Sequence, residues 1–171
     1  MATALDVAHY FLAVAPEDGI THLKLEKLVS YAQAVCLAYL GQPLFQEDIE
    51  AWKLGPVVRS VFDEFKSNGK APIPAKFSEH QAREAFTDEQ KFVLELVAGH
   101  YGVYEAWALV EKSHREFPGI FGSGDVILKE TIASAFENSR LVMKLKGAAT
   151  RIDAPMGITV SGKEILDALA Y

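Results

Sequence analysis

The chain has 171 residues, half of them hydrophobic and 23% charged, with 23 acidic against 17 basic side chains and a formal net charge of −6. A domain of this size buries ~70% of its unfolded surface, so it needs no metal or disulfide staple, and its apolar content excludes a disordered chain. The acidic excess disfavours a nucleic-acid partner, and a single cysteine, Cys36, excludes both a disulfide framework and a multi-cysteine zinc site, which fits a reducing cytoplasmic compartment.

Met1 to Asp6 lack the basic start of a secretory leader, and no stretch reaches the ~18 uninterrupted apolar residues of a membrane span, so no membrane partner is expected. Helical periodicity dominates the chain. Leu5, Ala8, Phe11 and Leu12 mark a short amphipathic helix closed by Pro16 and Gly19. Between Thr21 and Leu40, Leu25, Leu28, Val29, Ala32, Val35, Cys36 and Tyr39 draw one stripe on a long central helix, with Thr21 as N-cap and Gly41 as stop. Gly55-Pro56 interrupts the chain, and Pro56 suits the first turn of a helix whose buried face is Val57, Val58, Val61, Phe62 and Phe65. Lys70 to Pro74 is too proline-rich to be helical.

Thr87 to Gln90 has the form of a capping box and opens a helix carrying Phe92, Val93, Leu96 and Val97. The next helix turns Tyr104, Trp107, Ala108, Val110 and His114 inward and is limited by Pro118. Gly119 to Gly124 is a turn-rich loop, and a further helix runs through Ile132 and Phe136 towards Met143. Ile158 to Val160 suits a short strand, and Ser161 to Glu164 forms a second capping box before a last helix. The expected architecture is mostly α: a single compact helical domain with at most a short β element near the C-terminus.

Little in the chain suggests catalysis, and neither a cofactor nor a metal is expected. Cys36 lies inside an apolar stripe and behaves there as a small hydrophobe. The five histidines, at positions 9, 22, 80, 100 and 114, form no pair at the i,i+4 spacing of a zinc protease. His114, late in its helix, suits capping a carbonyl or facing the negative end of the dipole. The glycines of residues 119–124 lack a P-loop lysine. Arg140, Lys144, Lys146, Arg151 and Lys163 concentrate positive charge late in the chain, as a solvated face or as a docking patch for an acidic partner. Trp52 stands beside the turn at Gly55, either locking that segment to the core or serving as an interface anchor.

Lys24 to Gln33, followed by Gly41-Gln42-Pro43-Leu44-Phe45, resembles the opening of the SocA-like, or Panacea, antitoxin domain. Ile49-Glu50-Ala51-Trp52-Lys53-Leu54-Gly55-Pro56-Val57-Val58 resembles that family's most distinctive signature, and Ala106 to Leu109 with Ser113-His114 and Pro118 is similar to its second block. Two positions depart from the pattern: Leu54 stands where an aromatic is usual, and Gly119 where a tryptophan often follows the proline. The resemblance implies a Panacea domain over residues 1–147 and a C-terminal extension over 148–171, packed on or beside it. It implies a non-enzymatic antitoxin that neutralises a cognate toxin by direct binding, and it extends to an adaptor delivering that toxin to the ClpXP protease. Carried over residue by residue, the partner-binding or motif candidates are Lys27, Tyr31, Glu50, Trp52, Lys53, Gly55, Pro56, Val57, Trp107 and His114. The alternative reading is a DNA-binding autoregulator of its own operon, against which the acidity and the lack of a basic recognition helix argue.

Overall fold

A computed structural model describes residues 1–152, with side chains as far as Ala148. The expected strand at Ile158–Val160, the Ser161 capping box, Lys163 and the Arg151 side chain lie outside the described residues. Among the described residues there are eight α-helices and one small three-stranded sheet, so the fold is mostly α as expected.

Local chemistry sets most helix starts. Helix α1 (Ala4–Ala13) opens on a capping box in which Thr3 and Asp6 each accept the other's backbone N–H. Helix α2 (His22–Leu40) begins at Thr21, whose hydroxyl accepts from the Lys24 N–H, and ends where Gly41 turns left-handed at φ 70°. The apolar stripe on α2 predicts one buried face, yet every residue from Leu25 to Leu37 is buried. Helix α2 is a central post: α1, α5, α6, α7 and α8 all pack on it. Its polar residues Glu26, Lys27, Ser30 and Gln33 are therefore enclosed, and each needs a partner to offset its lost hydration. Gln33 satisfies the loop after α2, accepting from the Leu44 N–H at 2.7 Å and donating to the Phe45 carbonyl at 2.8 Å.

The sheet lies mid-chain. Strands β1 (Ile49–Trp52) and β2 (Gly55–Val57) form a hairpin, and β3 (Val126–Ile127) pairs antiparallel on the other edge of β1. Pro56 therefore does not open a helix; it faces Ala51 across the hairpin, and the next helix, α3, starts only at Arg59 (Arg59–Phe65). The ladder tolerates this proline because Ala51 bonds the other way: its N–H donates to the Asp125 carbonyl, and its carbonyl accepts from Gly122 and Gly124. The glycines of residues 119–124 thus close the sheet edge.

After a 3-10 turn at Lys66–Asn68, a short helix α4 (Glu79–Arg83) starts at a Ser78–Gln81 capping box, which is not among the expected elements. Thr87 caps α5 (Asp88–Tyr101) as expected. On α6 (Ala106–Glu116) the buried residues are Leu109, Val110 and Ser113, whereas Trp107, expected inward, is 63% exposed. The expected helix through Met143 is divided into α7 (Lys129–Phe136) and α8 (Arg140–Ile152), where the Ser139 N–H turns back to the Phe136 carbonyl.

Candidate functional site

The signature segment folds into a clasped hairpin whose tip is Lys53-Leu54. Neither tip residue has positive φ, so the primed turns that match strand twist are not used, and the reversal is completed at Gly55, φ 108°. Glycine is required there twice over. A Cβ at Gly55 would stand 2.7 Å from the Ser113 hydroxyl and 3.1 Å from Lys27 Cε.

Adjacent buried charges on α2 receive the backbone leaving the hairpin. The Lys27 ammonium donates to the Pro56 carbonyl at 3.0 Å, and the Ser30 hydroxyl donates to the same oxygen at 3.4 Å. Glu26 accepts the Val58 N–H at 3.3 Å and contacts His22 Nε2 at 3.1 Å. Val58 is the N-cap of α3 and has no side-chain capping bond of its own. Glu26 thus does from another helix what the third residue of a capping box does locally. Burial pushes the Lys27 amine down to about 8, against the opposing charge of Glu26.

The hairpin's other face carries Glu50 and Trp52, two residues apart and so on one side of the strand. Trp52 Nε1 donates to Glu50 at 2.7 Å, and the Arg59 guanidinium grips both oxygens of that carboxylate, at 2.8 and 3.2 Å. Arg59 also lies 5.2 Å above the Trp52 ring, and Phe62 meets the ring edge-on at 4.7 Å. Burial works against the Glu50 charge, but the hydrogen bonds from Trp52 and Arg59 and the Arg59 charge outweigh it, holding the carboxyl below its usual range. The indole is thereby fixed as a wall.

Beside this wall opens a cavity of about 300 Å³ lined by His22, Leu23, Glu26, Lys27, Trp52, Lys53, Leu54, Val57 and Phe62 with Gly69. Its walls are mainly apolar, with the Glu26–Lys27 pair among them. His114, on α6, braces the hairpin tip: its Nδ1 lies 2.7 Å from the Val110 carbonyl and its Nε2 3.0 Å from the Lys53 carbonyl. A neutral ring can donate to one of these oxygens and an imidazolium to both. His114 caps carbonyls, and among the described residues no group of three metal-ligating side chains forms.

Eight of the ten motif residues thus meet at one hairpin: Lys27, Glu50, Trp52, Lys53, Gly55, Pro56, Val57 and His114. Tyr31 stands apart in the core, stacked on Tyr101 at 3.9 Å with Phe117 and Phe136 edge-on. Trp107 is outside the cavity lining and open to solvent. Glu26, Ser30, Arg59 and Ser113 also build the clasp, although the sequence pattern does not single them out as site residues. A signal is present for the first: two adjacent charges, Glu26-Lys27, interrupt the core stripe of the central helix. Ser113 falls within the second family block, and Arg59 carries no signal, because its role depends on its pairing with Glu50 across the hairpin.

The comparisons with known proteins bear on the same segment. Residues 25–118, more than half of the chain, match the family described as antitoxin SocA-like, Panacea domain. Over 57 residues the chain is 40% identical to the protein named Antitoxin SocA of Caulobacter vibrioides (strain NA1000 / CB15N). That match takes in 33% of this chain and 30% of the relative's length. No solved structure matches. The matched span contains most of the central helix, the hairpin and the His114 brace, and the chain belongs to the SocA-like antitoxin, Panacea domain, family.

Proposed function

We propose that this chain neutralises a cognate toxin by binding it directly, and that the hairpin tip with its cavity is the docking face. The observation that supports this reading most is the clasp. Buried charges, a bidentate arginine and a histidine brace hold a two-residue tip rigid, yet none of them converges on a reacting atom. Fixing a loop in its bound shape lowers the ordering cost of association. Leu54, 40% exposed, stands at the rim of an apolar cavity, the combination expected where a partner inserts a hydrophobic side chain.

The reading is tested by co-expressing the chain with the toxin encoded beside it. Growth should be restored, and the two proteins should purify as one complex. Failure of both would defeat the proposal. Delivery of the toxin to the ClpXP protease is the finer form of the same reading, because it needs a second surface on the same protein. Toxin half-life in cells with and without that protease separates the two forms: faster loss only when antitoxin and protease are both present marks an adaptor, and an unchanged lifetime marks sequestration.

A further inference from the structure

A second cavity, of about 340 Å³, lies among α5, α6, α7 and α8 and shares no lining residue with the hairpin site. Its lining brings together Lys112 and Arg115 from α6 and Arg140 from the first turn of α8, with His100, Tyr101 and Tyr104 forming an aromatic side. In a chain of net charge −6 this is a local reversal of sign.

The charge there is incompletely answered. Glu116 pairs with Lys112 at 2.9 Å, whereas neither Arg115 nor Arg140 forms an ion pair among the described residues. Arg140 stands at the positive end of α8, whose first turn holds no acidic side chain, so helix and guanidinium repel. Behind the aromatic side the Tyr31 hydroxyl is fully buried and has no hydrogen-bond partner. Its ring is stacked at 3.9 Å on Tyr101, which lines the cavity. Burial, reinforced by Lys112, Lys144 and Arg140, also disfavours a proton on His100.

We infer that this cavity binds a small phosphate-bearing organic molecule. The phosphate would lie against Arg115, Arg140 and Lys112, and the organic body against Tyr101, Tyr104 and His100. A dianion with several acceptor oxygens answers two guanidiniums and a helix terminus together, which one further carboxylate cannot do. A volume of about 340 Å³ is enough to hold a small organic molecule.

The experiment is titration of the full-length chain, by calorimetry, with phenyl phosphate, pyrophosphate and a hexaglutamate peptide. It is repeated on R115Q, on R140Q and, as a surface control, on K70Q, with circular dichroism to confirm folding. Both phosphate compounds should bind saturably, phenyl phosphate more tightly, and R115Q and R140Q should each weaken binding about tenfold or more while K70Q leaves it unchanged. Three results would overturn the proposal: no saturation at millimolar probe, equal weakening in K70Q, or tighter binding of hexaglutamate than of phenyl phosphate. The last would make the cavity a dock for an acidic segment of a partner.

Discussion

The two cavities flanking the central helix are built on opposite plans. At the hairpin, buried charge is answered from within: Lys27 by Pro56, Glu26 by Val58 and His22, Glu50 by Trp52 and Arg59. In the cleft among α5 to α8, charge is gathered and, among the described residues, left partly unanswered, with the unpartnered Tyr31 hydroxyl behind it. A satisfied polar cluster fixes a shape, and an unsatisfied one calls for a ligand. The contrast is what the two proposals predict: a rigid surface for a protein at the hairpin and a charged pocket for a small ligand in the cleft.

Substitutions sharpen that contrast, and the hairpin should be the more fragile of the two. Gly55→Ala places a Cβ against Ser113 and Lys27 on a backbone at φ 108°. It should cost about 3 kcal/mol in urea unfolding, combining backbone strain with displacement of the clasp. A loss under about 1 kcal/mol would show that the clasp is loose.

Lys27 supplies a pH test whose sign can be worked out. Its amine is pushed down to about 8 in the folded protein from an ordinary 10.5, so between those values the unfolded chain binds more protons and stability rises with pH. Cys36 acts the other way, because burial pushes its thiol up to about 12 from 9.0, and the unfolded chain releases that proton first. Tyr10, Tyr31, Tyr39 and Tyr101, pushed up by burial, act like Cys36 once the unfolded chain's tyrosines begin to ionise, so in a Cys36→Ala background the unfolding free energy should climb between pH 8 and 9, below that range, by on the order of 1 kcal/mol per pH unit. Adding Lys27→Met should flatten the profile. A climb that survives Lys27→Met would assign the effect elsewhere.

The cleft side should respond more mildly. Tyr31→Phe removes a buried hydroxyl that has no partner, so it should leave stability unchanged or raise it by up to about 1 kcal/mol. Back at the hairpin, breaking the Glu50–Arg59 pair with Arg59→Gln should leave the urea unfolding midpoint nearly unchanged, because the guanidinium is largely exposed.

Much of the fold is legible in the sequence where one local rule decides. Thr21, Thr87 and Gly41 mark helix ends by their own chemistry, and the burial of Cys36 follows from its place in the stripe on α2. The hairpin is not legible there, because Gly55-Pro56 obeys two local grammars, a helix start and a strand edge. The choice between them is made by distant groups: Asp125 and Gly124 bonding Ala51, and Lys27 bonding Pro56. Trp107 misleads for a related reason. Its spacing suits the core, but α6 meets its neighbours through Leu109, Val110 and Ser113, which leaves the indole outside. Likeness to a family identifies the motif residues, and only the fold shows that most of them share one location.

The docking claim is tested most directly by capture of the co-expressed toxin on Leu54→Asp and Trp107→Asp variants. Both residues are exposed, so each substitution should shift stability by no more than about 0.5–1 kcal/mol. If the hairpin tip is the docking face, Leu54→Asp abolishes capture at unchanged melting temperature while Trp107→Asp retains it. Undiminished capture by Leu54→Asp would contradict the account.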